Sequence, residues 1–327
     1  MIKETNIMKK IIAIALMLTL TLSLFACSGN EPDVAETTSA QTTAQATEQA
    51  TIEPAKPVGN FTFTKENFPV VGGSLALKPF GQALTATVLG IPREGAIDPE
   101  IWEGSTTYKY QQFVDGEIEL LLAYEPSEEA IEYAKEKGFE WEITAIGADA
   151  LVFICSNQNP VQNLTLEQIK QIYSGEITNW KQVGGNDAEM AAYQRNRESG
   201  SHTLFDKLIN LGDKLVEPPK EQQIGSMIGL LEAVADYDNS ANALGYTVYY
   251  YLTNMESDKL ASSKILWVDG IEPTNENIST GKYTLVNDFY VAIPKNLPED
   301  APARILYNWI ISQQGKELLE QENYVAK

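Results

Sequence analysis

Histidine, cysteine and basic residues are scarce in this chain, and each scarcity excludes a class of protein. The 327 residues contain two cysteines and one histidine, His202. A single histidine argues against a metal site built on histidine ligands. Lys and Arg number 24 against 45 Asp and Glu, a formal net charge of −21, so no general positive field is present to attract nucleic acid or an anionic membrane surface. An anion can bind only through short-range donors in a closed pocket. Cys155 lies in an apolar run, which predicts a buried, unreactive side chain.

The first 27 residues have the pattern of a targeting segment. Lys9 and Lys10 precede an apolar run over residues 11–25, and Cys27 follows it closely. This order resembles a bacterial lipoprotein signal, in which Cys27 is the lipidated first residue of the mature protein. A transmembrane anchor is the alternative, but about 15 apolar residues are fewer than the ~20 that span a bilayer. With Cys27 lipidated, no second thiol is left for Cys155 to pair with, so we expect no intrachain disulfide.

Residues 28–57 have the composition of a disordered tether. They are rich in Thr, Ala, Glu, Gln, Ser and Pro and contain almost no large apolar side chains. Such a segment buries too little apolar surface to offset the conformational entropy that ordering costs. The folded part is therefore expected to span residues 58–327, which is long enough for two lobes with separate cores.

Strand-like and helix-like segments alternate along the folded part, which predicts an α/β fold. Apolar runs at residues 118–123 and 150–155 indicate buried strands, and the aromatic run 244–252 is also strand-like. Thr165, with a glutamine three positions later, forms a capping box that begins a helix. Residues 302–320 have the spacing of one final amphipathic helix.

An arginine, two serines and a glycine precede a run with helical spacing. Arg195, Ser199, Gly200 and Ser201 come shortly before the apolar positions that begin at Leu204. A helix start offers unpaired backbone N–H groups and a partial positive charge. The serine hydroxyls add donors, the glycine permits close approach, and a guanidinium presents two parallel donors to an oxyanion. The segment predicts a site for a small tetrahedral anion; a serine-capped helix with solvated arginines is the alternative.

A set of short motifs runs through most of the folded part. These motifs are Asp149-Ala150-Leu151-Val152-Phe153, Asn159-Pro160-Val161, Asn163-Leu164-Thr165, Ile172-Tyr173-Ser174-Gly175, Ile177-Thr178-Asn179-Trp180, Val183-Gly184-Gly185, Ala243-Leu244-Gly245-Tyr246, Gly315-Lys316 and Asn323-Tyr324-Val325. Together with the arginine–serine segment, they resemble the phosphate-binding proteins that feed high-affinity phosphate ABC importers, in their Gram-positive lipoprotein form.

The resemblance implies a two-lobed α/β fold of the periplasmic-binding-protein type (type II). In that fold, crossing strands join the lobes and the ligand lies in the cleft between them. The corresponding first lobe comprises residues 58–148 and 286–327, and the second comprises residues 149–285.

The resemblance also implies a ligand set in the second lobe. The family's Arg-x-x-x-Ser-Gly-Thr element corresponds to Arg195, Ser199, Gly200 and Ser201, where the final serine keeps the hydroxyl of the family's threonine. Arg197 has no counterpart in the family's ligand set and is expected to be solvated.

Two loops of the first lobe resemble the family's serine loops. Ser74 and Leu75 follow Gly73 just before a predicted helix, and they are expected to contact the anion. A plain helix cap is the alternative for Ser74. Ser105 or Thr106 is expected to donate from the second loop, for which an ordinary turn is the alternative.

One position departs from the family. Its members carry Asp, or Ser followed by another donor, after the strand at residues 118–123, whereas this chain has Tyr124 and Glu125. Glu125 aligns with the acid if one residue is dropped, and Tyr124 aligns if none is. A carboxylate there accepts a hydrogen bond from protonated phosphate and rejects sulfate, which has no proton to offer. Glu125 is therefore included among the expected ligands, with a plain surface carboxylate as the alternative.

The resemblance implies an extracellular solute-binding lipoprotein that is held at the cell membrane by the lipid on Cys27. It captures inorganic phosphate and delivers it to ABC permease subunits. We expect a monomer that is not an enzyme and has no cofactor, no metal and no nucleic-acid partner. One alternative is a receptor of the same fold for another oxyanion, or for sensing or adhesion without transport. Another is a hydrolase that uses Ser201 and His202, but adjacent residues at a helix start point about 100° apart and the Gly-x-Ser-x-Gly element is absent.

Overall fold

Strands and helices alternate along residues 58–235 and 240–327, which are the residues that the computed structural model describes. The strands in this part are β1 (Val71–Gly73), β2 (Leu120–Tyr124), β3 (Trp141–Ser156), β4 (Asn163–Leu164), β5 (Ala191–Ala192), β6 (Gln194–Arg195), β7 (Gln223–Ile224), β8 (Ala243–Val248), β9 (Ser263–Val268), β10 (Val286–Pro294) and β11 (Val325–Ala326). The α-helices are α1 (Lys78–Leu89), α2 (Thr106–Val114), α3 (Glu128–Glu136), α4 (Leu166–Tyr173), α5 (Gly200–Ile209), α6 (Met227–Ala235), α7 (Asn275–Ser279), α8 (Pro302–Ile310) and α9 (Gln313–Gln321).

Strand β3 belongs to two different groups of strands. The sheet order is β1-β2-β10-β3-β8-β5, with β11 and β9 also paired to β3. The first half of β3 pairs antiparallel with β10 up to Ala150, and from Leu151 onward it pairs antiparallel with β8. We call the half that contains β1, β2 and β10 the first lobe, and the half that contains β5, β8 and β9 the second lobe. The fold is therefore a two-lobed α/β fold with a strand that crosses between the lobes.

The buried strands explain where the core lies. All residues of β2 and β8 are buried, and β3 is buried from Ile146 onward. The apolar runs therefore predicted buried strands correctly. The predicted run at residues 150–155 missed the first nine residues of β3, of which the first five are only half-buried and include polar side chains such as Glu142. Cys155 is fully buried in β3, as predicted, and burial raises the pKa of its thiol to about 12.

Capping residues set the helix starts. Thr165 forms the predicted capping box with Gln168, and α4 begins directly after it. The prediction of one helix over residues 302–320 is wrong, because the segment divides into α8 and α9. Ser312 is extended there, and its hydroxyl donates to the carbonyl of Trp309 (2.6 Å), which competes with a continuous helix.

The prediction of a strand over residues 244–252 is also wrong at its end. Strand β8 stops at Val248, and a π-helical turn, Tyr251–Met255, follows. The N–H of Tyr250 donates to a carboxylate oxygen of Asp149 (3.1 Å) instead of to a neighbouring strand. The sequence favoured a strand because aromatic residues such as Tyr are enriched in strands.

The predicted lipoprotein signal with Cys27 and the predicted tether at residues 28–57 lie outside the described residues. Among residues 58–235 and 240–327, no helix combines the length and the apolar character needed to cross a bilayer.

Candidate functional site

A cavity of about 830 Å³ lies between the two lobes, and the amino-terminal ends of several helices line it. The first two residues of α2, α5 and α6 belong to its wall, as do the first two residues of a 3-10 turn, Leu75–Leu77. Each helix start leaves backbone N–H groups without an intrahelical partner and carries a partial positive charge. Four chain segments that are distant in sequence therefore direct hydrogen-bond donors towards one space.

All but one of the predicted ligand residues line this cavity. The lining members of the set are Ser74, Leu75, Ser105, Thr106, Arg195, Ser199, Gly200 and Ser201. The first-lobe and second-lobe sets therefore face each other, and Glu125 is the exception.

Serine caps place two of the helix starts. The hydroxyl oxygens of Ser105 and Ser199 accept hydrogen bonds from the backbone N–H groups of Tyr108 and His202, each at 3.2 Å. Such caps fix the helix entry. Because a serine hydroxyl has one donor besides its acceptor sites, both O–H groups remain available to a ligand oxygen. The capping alternative and the ligand role are thus compatible at these positions.

The close parallel pairing of β1 with β2 places Ser74. A side chain at Gly73 would meet the carbonyl oxygen of Leu122 at 1.8 Å, so only glycine allows β1 to lie this close to β2. The hydroxyl of Ser74 is 3.1 Å from that of Thr106 and accepts the N–H of Tyr124 at 3.3 Å. These contacts join the two serine loops of the first lobe into one donor surface.

The two lobes touch at the helix starts. A Cβ atom at Gly200 would lie 2.5 Å from the hydroxyl oxygen of Thr106 across the cleft. Glycine at the start of α5 therefore lets the second lobe approach the first closely enough for both sets of donors to reach one small anion.

Arg195 supplies the charge of the site. The residue is 7% exposed, and its guanidinium donates to the carbonyl oxygens of Ile224 (3.1 Å) and Gly225 (3.1 Å) and to the hydroxyl of Ser201 (3.3 Å). Burial lowers its pKa to about 10, so the group is still cationic at neutral pH. Within the described parts of the chain, no carboxylate pairs with it. A buried cation without a counter-charge is costly, and this arrangement suits the binding of an anion.

Tyr124 and Glu125 have different surroundings. Tyr124 lines the cavity, but its hydroxyl donates to Asp149 (2.6 Å). Glu125 does not line the cavity, and its carboxylate forms an ion pair with Lys207, which also donates to Asn287 (2.9 Å). The carboxylate of Glu125 is therefore paired with a lysine outside the cavity wall. The expected ligand role of Glu125 stays a prediction.

Sequence reasoning missed part of the cavity wall. Trp102, Asn196 and Ser226 line it as well. The signal for Ser226 was present, because Gly225 and Ser226 precede α6 just as Gly73 and Ser74 precede the first helical segment. Arg197 is exposed and pairs with Glu217 (2.8 Å), as expected of a solvated arginine.

No group of three or more histidine, cysteine or carboxylate side chains in residues 58–235 and 240–327 is arranged to hold a metal ion. The donors of the cavity are hydroxyl, amide and guanidinium groups, which suit an oxyanion rather than a cation.

A family model described as a PBP superfamily domain matches residues 96–314. The phosphate-binding protein PstS of Borreliella burgdorferi is 30% identical over 185 residues, which are 56% of this chain and 65% of that protein. The phosphate-binding protein PstS of Bacillus subtilis is 25% identical over 218 residues, 66% of each chain. These alignments span slightly less than two thirds of the relatives' lengths.

A solved structure of similar fold comes from Clostridium perfringens. It is a candidate phosphate ABC transporter substrate-binding protein with bound phosphate, 25% identical to this chain, with a TM-score of 0.62. The superposition covers 80% of this chain and all of the other.

Proposed function

This chain belongs to the PBP superfamily, and from that premise we propose that it is the phosphate-binding component of an ABC importer. It captures inorganic phosphate in the cavity between its lobes and delivers it to the permease. The names of the relatives from Borreliella burgdorferi and Bacillus subtilis and the phosphate in the Clostridium perfringens structure support this function.

One observation carries the proposal: Arg195 is buried in the cavity wall with no carboxylate partner among the described residues. The backbone carbonyls of Ile224 and Gly225 fix its orientation but bring no charge. An oxyanion that accepts from this guanidinium and from the adjacent helix starts completes the charge balance.

Residues from both lobes are proposed to bind the anion. Arg195 and the start of α5 hold the anion from the second lobe, and Ser74, Leu75 and the start of α2 hold it from the first. Each charge-assisted hydrogen bond contributes about 1.5–3 kcal/mol net, and ~8 kcal/mol corresponds to micromolar affinity. A few such bonds are therefore sufficient. Because the anion bonds to both lobes at once, its binding favours the closed form of the protein.

The remaining features of the proposal concern the whole chain. We propose that the first lobe comprises residues 58–148 and 286–327 and that the second comprises residues 149–285. The boundary near residue 149 is supported by β3, which pairs with β10 up to Ala150 and with β8 from Leu151. We further propose a monomer without enzymatic activity that is anchored through lipid on Cys27 at the extracellular face of the cell membrane. The basic, apolar and cysteine pattern of the first 27 residues supports that anchor.

The test is calorimetric titration of the purified protein with inorganic phosphate. We expect binding at micromolar Kd or tighter. Arg195→Ala should weaken it at least about 100-fold, because it removes the cation and its paired donors. Arg195→Lys keeps the charge but loses the planar fork, so it should lie between these values.

Arg197→Ala is the matched control, since Arg197 is exposed and pairs with Glu217 outside the cavity. It should bind phosphate as the wild type does. A wild-type protein that gives no heat with phosphate, or an Arg195→Ala variant that binds normally, would contradict the proposed function.

A further inference from the structure

Helix α5 of the second lobe contacts the first lobe at two places. At its start, a Cβ atom on Gly200 would lie 2.5 Å from the hydroxyl oxygen of Thr106. In its last turn, Lys207 forms an ion pair with Glu125 and donates a hydrogen bond to Oδ1 of Asn287 (2.9 Å). Gly200 and Lys207 are seven positions apart, which is about 10 Å along a helix axis. The helix therefore extends from the cavity wall to a charged contact outside it.

Both acceptors of Lys207 belong to the first lobe. Glu125 directly follows β2, whose last residue, Tyr124, lines the cavity. Asn287 lies in β10, which pairs with β2 and with the first half of β3. The side chain of Asn287 is buried, and its amide nitrogen donates to the carbonyl oxygen of Asp288 (3.0 Å), which fixes the amide. The ammonium group of Lys207 therefore joins α5 to two different segments of the first lobe.

An ion pair with both partners in the first lobe offers a comparison. Lys137 pairs with Asp115 (3.1 Å), and these side chains are 51% and 37% exposed. The side chains of Lys207 and Glu125 are 47% and 37% exposed, so water screens the two pairs to a similar degree. The partners of the first pair move together when the lobes move. The partners of the second pair separate when the lobes separate, so this pair depends on the closed arrangement.

We propose that the contact of Lys207 with Glu125 and Asn287, here called the interlobe latch, holds the lobes together over the bound anion and slows its release. The inference rests on the proposed function and gives Glu125 a role outside the ligand set. The lobes must part before the anion leaves, so the latch must break first. The latch forms only after the anion has entered, so it affects dissociation more than association.

The experiment measures the dissociation rate constant of inorganic phosphate by stopped-flow tryptophan fluorescence, since Trp102 lines the cavity. Lys207→Met should raise this constant about threefold, the size expected for one half-exposed ion pair, with little change in the association rate constant. Lys207→Glu places like charges opposite each other and should raise it further. The double variant Glu125→Lys with Lys207→Glu restores opposite charges, so its rate should return close to that of wild type.

Lys137→Met is the matched control, because it removes the same charge from an equally exposed pair inside the first lobe. It should release phosphate as the wild type does. Wild-type release by Lys207→Met, or failure of the double charge reversal to restore the rate, would overturn the inference. If Glu125 binds the anion directly instead, Glu125→Gln weakens phosphate binding equally with and without Lys207→Met. That result would also overturn the inference.

A second measurement tests the interlobe latch without phosphate. Hydrogen exchange at the backbone N–H groups that begin α2 and α5 reports how often the lobes separate. Without phosphate, exchange there should be faster in Lys207→Glu than in wild type, and it should slow again in the double charge reversal. Unchanged exchange would overturn the inference even in a protein that binds no phosphate. A wild type that binds no phosphate but shows these exchange changes overturns the proposed function alone.

Discussion

At the scale of single residues, Asp149 links the crossing strand to the cavity wall. One of its carboxylate oxygens accepts from the hydroxyl of Tyr124 (2.6 Å), and the other accepts from the N–H groups of Ala150 (2.7 Å) and Tyr250 (3.1 Å). The hydrogen bonds favour the ionised form, but complete burial outweighs them and raises the pKa to about 6. The carboxylate thus connects β2, β3 and the turn after β8 at the passage between the lobes.

The raised pKa of Asp149 predicts a pH dependence of stability with a definite sign. Its folded-state pKa lies above the ordinary value of 3.8, so the folded protein binds more protons between these values and its free energy of unfolding falls as pH rises through about 6. Asp149→Asn lacks this titration. In urea unfolding, the stability of wild type relative to the variant should be lower at about pH 8 than at about pH 4, by up to roughly 3 kcal/mol. Equal differences at both pH values would contradict the assignment.

At the scale of elements, the site is an arrangement of helix starts. Local sequence identified the start of α5 and the two serine loops, because Ser and Gly before an apolar-periodic run are local signals of a helix cap. The start of α6 carried the same Gly-Ser signal, but sequence alone could not show that it faces the same cavity. That position depends on the parallel pairing of β6 with β7, which places Ile224 beside Arg195.

Contact between the starts of α2 and α5 predicts the effect of a single methyl group. In Gly200→Ala, the added Cβ would lie 2.5 Å from the hydroxyl oxygen of Thr106, so the lobes must separate for the side chain to fit. We expect phosphate binding to weaken about tenfold or more, while thermal stability without ligand changes little, because alanine is a good helix former.

Gly225→Ala is the matched control for this substitution. Gly225 lines the same cavity, yet a Cβ there meets no atom within 4 Å. Titration of both variants with phosphate should show normal binding for Gly225→Ala. If Gly200→Ala also binds phosphate normally, close approach of the starts of α2 and α5 is not required for phosphate binding.

At the scale of the whole molecule, the net charge of the protein has the same sign as the charge of the proposed ligand. The chain carries a formal net charge of −21, and its proposed ligand is an anion. Long-range repulsion between surface carboxylates and the anion is screened by salt, whereas the short contacts to buried donors are screened much less.

This opposition predicts that salt accelerates phosphate association. Raising ionic strength from about 0.01 M to about 0.15 M shortens the Debye length from about 30 Å to about 8 Å, so the association rate constant should rise. Stopped-flow tryptophan fluorescence can follow binding, because Trp102 lines the cavity. An association rate that falls with salt would show that local positive potential outweighs the net charge.

The sequence by itself determined the α/β class, the scarcity of metal-binding side chains, the buried strands and eight of the residues that line the cavity, because caps, apolar runs and charge are properties of neighbouring residues. Tertiary structure alone decided that Glu125 pairs with Lys207. It also decided that β3 crosses between the lobes and that α6 joins the cavity wall. These outcomes depend on strand register and on the approach of two lobes, which bring together residues that are distant in sequence, such as Glu125 and Lys207, 82 positions apart. No local pattern specifies such pairings.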